Sequence, residues 1–225
     1  MNMGWMDKHI TDLNKWGEEY NRLAKLLMAF HMDFDFGDEM LIEEDGRVEE
    51  RRFWINQAAY EVVVVPKVVS LFESTVRLLY EYSRQGGKVL WIGDFPEMVE
   101  GSREKAEQIE WEKFTDIKQL ESYEELPQEL ENSLDWNIKI KTKEGVEDKD
   151  ILLMTKKTSE GYLQIVVNND RKNEHAIMVD FPEVGTVWCY QPWTNNMEEL
   201  DIEISKKERM RFFLELEPAQ TVILL

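Results

Sequence analysis

The 225 residues include 46 Asp and Glu against 27 Lys and Arg, a formal net charge of −19, and 43% of them are apolar. That acidity excludes nucleic acid and anionic membrane surfaces as partners, because both demand clustered cations, and the apolar content excludes a disordered chain. The single cysteine, Cys189, leaves no intrachain disulfide. No run reaches the roughly 20 apolar residues of a membrane helix, and residues 1–12 show no apolar signal-peptide core. The expectation is a cytoplasmic protein with one large domain or two small ones.

Leu13, Trp16, Tyr20, Leu23, Ala24, Leu27 and Met28 recur at three- and four-residue spacing and predict an amphipathic helix ending near Phe30. The acidic stretch 31–39 follows, where Asp33, Phe34, Asp35 and Phe36 alternate as in a short strand or extended turn. The β-branched run Val62-Val63-Val64-Val65 predicts a strand buried on both faces of a parallel sheet, stopped by Pro66. Ser70 and Glu73 have capping-box spacing ahead of a helix through Leu71, Val76, Leu79 and Tyr82 that ends at Gly86-Gly87. Residues 88–92 predict a second strand, which completes a βαβ unit. Residues 94–134 turn polar; short helical pieces are expected at 103–111 and 116–123, with Pro127 opening a further turn, and the stretch reads as domain edge and linker.

Beyond Asp135 the period changes to two. Strands are expected at 137–141, 151–155, 163–167, 175–179, 187–190, 201–204, 211–215 and 221–224. Glu144-Gly145, Glu160-Gly161 and Asn168-Asn169-Asp170 supply turns. Many short strands at close spacing predict an antiparallel β-sandwich. The fold class is therefore α/β plus all-β, with an α/β domain over 1–134 and a β-sandwich over 135–225.

Reactive motifs do not stand out. There is no Gly-x-Ser-x-Gly elbow, no His-Glu-x-x-His pair and no phosphate-cradling glycine loop. His9, His31 and His175 are scattered, so neither a metal site nor a cofactor is expected. Cys189 lies among large aromatics in a strand pattern and is expected to be buried. Asp33, Asp35, Asp38 and Glu39 could offer oxygen ligands to a hard cation, although their spacing is that of no calcium loop; an acidic turn anchored by Phe34 and Phe36 is the competing reading. Ligands of open parallel sheets bind beyond the carboxyl ends of the strands, which points to Pro66, Lys67, Asp94 and Phe95. Trp188, Tyr190 and Trp193 could form a sugar-stacking face or fill the sandwich core.

Several of these segments resemble the region downstream of the catalytic barrel in large bacterial glycoside hydrolases. They are His31-to-Glu39, Tyr60-to-Pro66, Ser74-Thr75 with Leu78-Leu79, Gly86-to-Val89 and Pro96-to-Gly101, then Gly161-to-Asn169, Val187-to-Trp193 and the closing 212–225 run. The chain is similar to family 106 α-L-rhamnosidases, often described with a family 2 sugar-binding domain, and its α/β part also resembles the trimerisation domain of family 42 β-galactosidases. The resemblance implies a flavodoxin-like, class I amidotransferase-like domain lacking its usual first strand, followed by a β-sandwich. Class I amidotransferases carry a nucleophilic cysteine after a strand, and neither strand end here has one. The family's barrel matches no residues of this chain, so no catalytic residue carries over. The expected function is an accessory, non-catalytic portion of a glycoside hydrolase. The alternatives are a free-standing carbohydrate-binding module and a small stand-alone glycosidase. The expected partner is a catalytic barrel domain, or a second copy joined through an open sheet edge; the binding-module alternative adds carbohydrate.

Overall fold

A computed structural model describes residues 13–114, 116–134, 138–205 and 208–225. Residues 1–12 with His9, the side chains of Leu13 and Trp16, and Asn137 at the start of an expected strand lie outside the described residues. The chain divides into two compact units. One holds the chain as far as Leu23 together with Asp35–Asp135, and the other holds Ala24–Phe34 together with Trp136–Leu225.

The first helix, α1 (Leu13–Ala29), buries Leu23 and Leu27, one turn apart, while Tyr20 and Met28 of the expected stripe stay exposed. Asp38 caps α2 (Glu39–Asp45) by accepting the Met40 amide at 2.8 Å. An antiparallel meander follows: β1 (Gly46–Glu49), β2 (Arg52–Ile55) and β3 (Ala58–Tyr60). It is absent from the expected elements for a physical reason. Two-residue hairpins usually announce themselves with Asn-Gly or Asp-Gly, but here Glu50 and Arg51 take positive φ (51° and 61°) without a glycine.

The parallel sheet of the first unit has the order β4 (Val62–Val65), β6 (Lys88–Ile92), β8 (Ile117–Leu120). Three expectations are corrected here. Burial on both faces belongs to the central strand β6, whose Val89, Leu90, Trp91 and Ile92 are all buried, whereas β4 is an edge strand with only Val65 buried. Residues 117–120 form β8 rather than a helix; the Ile117–Leu120 spacing looks helical, but Leu120 is buried in a strand paired with β6. The following stretch is no linker. Tyr123, Leu126 and Leu130 are buried, and Pro127 sits in the first turn of α5 (Leu126–Ser133).

The expected capping box at Ser70 is also corrected. Ser70 and Leu71 form β5, parallel to β7 (Met98–Val99), and the Ser70 hydroxyl accepts the Gly101 amide at 3.2 Å. The first amides at the start of α3 (Glu73–Arg84) are served from afar instead: Phe72 N donates to Glu39 Oε1 at 2.7 Å and Glu73 N to Glu100 Oε1 at 3.0 Å. The far end of α3 follows the local rule. Gly86 (φ +81°) and Gly87 close a Schellman motif onto the carbonyls of Ser83 and Tyr82. The short α4 (Arg103–Glu107), capped by Ser102, lies between β7 and β8 in the chain.

The second unit is antiparallel throughout. Its strands are β9 (Lys139–Thr142), β10 (Ile151–Lys157), β11 (Tyr162–Asn168), β12 (His175–Phe181), β13 (Trp188–Gln191), β14 (Asn196–Glu199), β15 (Ile202–Ile204), β16 (Met210–Leu216) and β17 (Thr221–Leu224). They form a five-stranded sheet, β10-β11-β17-β13-β14, and a four-stranded sheet, β15-β16-β12-β9. Alternation is strict in β16, where Met210, Phe212, Leu214 and Leu216 point inward. One apolar core takes residues from both sheets, among them Ile151, Val166, Val222 and Cys189 from the first and Ile140, Ile177 and Phe212 from the second. The expected strands here match in place, and β14, exposed at every residue, is the addition.

Gly87→Ala is expected to destabilise the first unit by about 1–3 kcal/mol. Its Cβ would fall 2.2 Å from the ring of Tyr82, a side chain with 0% exposure. An unchanged denaturation midpoint for the variant would contradict this packing.

Candidate functional site

On β13, Trp188 and Tyr190 point outward and Cys189 inward. Burial pushes the Cys189 thiol up, with Glu198 adding to the effect. Trp188 is 40% exposed and Trp193, in the turn before β14, 83%. The Tyr190 hydroxyl donates to Asn195 Oδ1 at 3.2 Å. The strand register carries Tyr190 into a row that crosses the whole sheet: Met154, Ile165, Ile223, Tyr190 and Met197 stand side by side on the outer face. Trp188 stands opposite Glu199.

The residues at the strand ends of the first unit are drawn together by packing. The Lys67 stem lies across Gly93, where a Cβ would meet Lys67 Cε at 3.0 Å. Gly93 takes φ +78°, and its carbonyl accepts Gln119 Nε2 at 2.6 Å. Phe95 stacks on Trp111 (centroids 4.6 Å, planes 6° apart) and meets Trp91 edge-on at 5.0 Å. Pro66 is half-buried and Asp94 exposed, with the Asp94 carbonyl taking the Trp91 indole N–H at 3.1 Å. Phe95 thus belongs to an aromatic cluster, while the Lys67 ammonium and the Asp94 carboxylate remain at the surface.

The acids of the 33–39 stretch serve separate tasks. Asp35 accepts the Tyr60 hydroxyl at 2.8 Å, and burial followed by that bond pushes Tyr60 up to about 12. Asp38 caps α2, and Glu39 accepts the Phe72 amide. Asp33 lines a cavity of about 210 Å³ in the second unit with Met28, Met32, Phe34 and residues 152–154.

Among the described residues, a group of acids around a histidine lies elsewhere, and the sequence reading missed it. His175, at the start of β12, bonds Asp148 Oδ2 through Nδ1 at 2.7 Å, and its Nε2 is 3.7 Å from Asp170 Oδ2. The Asp148 carboxylate is buried and also accepts the Asp150 amide at 3.2 Å. Nearby in the chain, the buried His31 ring bonds Glu147 Oε1 at 3.1 Å and the Ile151 carbonyl at 3.0 Å. One signal could have led to the His175 group. A hairpin over 151–168 places the turns ending in Asp150 and beginning with Asn169 side by side, and Asn169 N does donate to the Asp150 carbonyl at 2.9 Å.

Asp148, Asp150 and His175 bring three ligand-type atoms within 4.8 Å of one another. The ring nitrogens of His175, however, already face two carboxylates. A protonated imidazole there completes an ion-pair network, whereas a metal would need one of those nitrogens bare. The Asp148 hydrogen bond is the largest influence on His175 and raises its pKa against the opposing effect of burial. Bonds from the Asn173 side chain and the Lys172 amide lead in holding Asp170 down at about 2.

A larger depression, about 650 Å³, lies on the outer face of the four-stranded sheet, where Asp180 and Glu203 are the only acids among its lining residues. Burial works to raise the Asp180 carboxyl, but the Arg209 and Arg211 guanidiniums beside it outweigh burial and keep it low.

No protein-family model and no curated protein matches the chain. Solved structures do. A rhamnosidase from Novosphingobium sp. PP1Y aligns at a TM-score of 0.64 and 16% identity over 87% of this chain and 20% of its own. The exo-carrageenase GH42 from Bacteroides ovatus aligns at 0.54 and 14% identity over 92% of this chain and 26% of its own. The α-L-fucosidase isoenzyme 2 from Paenibacillus thiaminolyticus aligns at 0.52 and 10% identity over 92% and 45% respectively. At these identities the likeness is one of fold, and the chain spans a fifth to less than half of each.

The His175 network sets a pH dependence. Because its folded pKa lies above the ordinary 6.5, the stability it lends is complete below that value and is lost as pH rises through the folded pKa. The thermal midpoint of the parent chain is therefore expected to fall on titration upward from about pH 6.5, and that of His175→Gln to fall less over the same window. Parallel curves for the two proteins would remove the network as the cause.

Proposed function

We propose that this chain is an accessory, non-catalytic portion of a carbohydrate-active glycoside hydrolase. The observation that carries the reading is the partial overlap. A chain matched over 87–92% of its length corresponds to only 20–45% of three proteins described as a rhamnosidase, an exo-carrageenase and a fucosidase. In this reading residues 1–134 are a flavodoxin-like domain, and 135–225 are a β-sandwich. The parallel order β4-β6-β8 with α3 between the first two strands supports the former. The Val62–Val65 edge offers backbone groups to a catalytic portion or to a second copy.

The carboxylates support the non-catalytic part of the proposal. Glycoside cleavage by two acids needs one of them held protonated by a raised pKa. In the larger depression Asp180 is instead driven the other way by two arginines, and in the smaller cavity Asp33 is the only acid among the lining residues. The purified chain is expected to release no nitrophenol from a panel of nitrophenyl glycosides at any pH between 4 and 8. Turnover abolished by substitution of a single carboxylate would overturn the assignment.

A second reading, a carbohydrate-binding module, draws on the 83% exposure of Trp193 beside the outward Trp188 and Tyr190. Under it the chain is retarded in polysaccharide gels, and Trp193→Ala removes the retardation without moving the unfolding midpoint. Equal mobility of both proteins with and without polysaccharide would dismiss it.

A further inference from the structure

We propose that the outer face of the four-stranded sheet binds anionic carbohydrate, an oligosaccharide bearing uronate or sulfate groups. In a chain of net charge −19, five cations line this depression, Lys139, Lys141, Lys143, Arg209 and Arg211, against the two acids Asp180 and Glu203. The strand geometry orders them. Side chains on one face of a strand recur at roughly 6.6 Å, so Lys139, Lys141 and Lys143 make one line along β9 and its turn. Arg209 and Arg211 make a second line along β16. The register Lys139–Asp180–Arg211 sets the two lines on either side of β12, about two strand spacings or ~10 Å apart. Between them the register Lys141–Met178–Phe213 lays an apolar floor. The Phe213 ring is 37% exposed, and the Lys143 ammonium lies 4.8 Å from its centroid.

Asp180 holds both arginines and leaves the terminal nitrogens of Arg211 unused. It accepts both Nε groups, from Arg209 and, at 2.7 Å, from Arg211. The terminal nitrogens of Arg211 and the Lys141 ammonium have no acceptor among the described residues. A guanidinium fixed by its Nε with its terminal amino groups free is suited to a carboxylate or sulfate.

The bland account of such lysines is a guard on an open sheet edge, since β9 ends the sheet. That edge is already occupied. Thr142 N donates to the Val146 carbonyl at 2.8 Å, and Asp148 N to the Ile140 carbonyl at 3.1 Å. The same closure argues against an acidic peptide as the occupant, because an extended peptide cannot add to β9 as a further strand. A glycan needs no free edge. It lies across the face, its ring C–H surfaces against Met178 and Phe213 and its anions between the two lines of cations.

The choice of a glycan over other polyanions rests on the carbohydrate reading of the fold, and the test separates the two. Binding of the full chain to galacturonate oligomers, dextran sulfate, neutral dextran and poly-L-glutamate is measured by calorimetry at low and high salt, beside the Lys141→Glu/Lys143→Glu double variant. The expected result is binding of one or both anionic glycans that weakens with salt, with no binding of neutral dextran. Poly-L-glutamate is expected to bind at least about tenfold more weakly than the better glycan. The double variant should lose roughly tenfold or more in affinity at an unchanged unfolding midpoint. Equal binding of poly-L-glutamate, full binding by the double variant, or no binding of either anionic glycan at low salt would each overturn the inference. Retention of neutral dextran through Trp193 in that last case would leave the carbohydrate reading standing while this face is discarded.

Discussion

One buried side chain ties the two sheets of the second unit at a common end. Asn168, with 0% exposure, donates through Nδ2 to the carbonyls of Asn173 (2.9 Å), Leu216 (3.3 Å) and Glu217 (2.9 Å), and its Oδ1 accepts the Asp170 amide at 2.9 Å. It closes β11 of one sheet, yet it satisfies the carbonyls that end β16 of the other. The backbone continues the same junction: Asn168 N to Gln220 O, Asn169 N to Asp150 O and Ala219 N to Asp170 O, each 2.9 Å. Strands β10, β11, β12, β16 and β17 all begin or end here. A buried amide with this many partners is costly to leave unpaired, so the turns cannot drift independently. His175 is met by two acids from this junction: Asp170, whose amide Asn168 holds, and Asp148, on the turn that the Asn169 amide ties at the Asp150 carbonyl.

The legibility of the fold in the sequence follows the source of the forces. Where one face of a strand meets a core and the other meets water, as in Leu214-Glu215-Leu216, alternation is written into the residues, and the expected strands of the second unit match in place. Where the decisive contact is tertiary, the local pattern misleads. Ile117 and Leu120 carry helical spacing, but a third parallel strand is needed beside β6 and claims them. Ser70 and Glu73 carry capping-box spacing, but Glu39 and Glu100, distant in the chain, reach the start of α3 first. The Glu50-Arg51 turn was illegible because its positive φ values rest on residues with no statistical preference for them.

The candidate sites divide along the same line. Trp188 and Tyr190 were left between a sugar-stacking face and the core, and the structure turns both outward around the inward Cys189. Phe95 was placed at a strand end by the parallel-sheet rule, yet its ring is committed to Trp91 and Trp111, partners whose proximity no spacing rule conveys. The cationic depression was invisible because its lysines and arginines come from β9 and β16, separated by about seventy residues and set apart in space by the two-strand interval that only the sheet order defines. Net charge, the coarsest descriptor of the chain, pointed away from nucleic acid and anionic membranes and gave no hint of a basic face, because an average over the surface hides a face of opposite sign.

That average has a structural cause. A chain with 46 acids must spread or neutralise them to limit self-repulsion, and many are spent on local hydrogen bonds. Asp38, Glu39 and Glu100 accept helix-start amides, and Glu125 accepts the Glu121 and Ser122 amides at 3.1 Å. Asp35 takes a tyrosine hydroxyl, and Asp148 and Glu147 take imidazoles. Carboxylates used this way are dispersed among elements, which is why the 33–39 cluster, suggestive in the sequence, does not converge on one point. Cations follow a different logic. Scattered exposed pairs such as Arg103–Glu97 or Arg47–Glu49 contribute little each. Lys139, Lys141, Lys143, Arg209 and Arg211 instead stand on one face, lining one depression with the two acids Asp180 and Glu203. Bringing five like charges together costs electrostatic energy in the free protein, and an anion laid between the two lines relieves it.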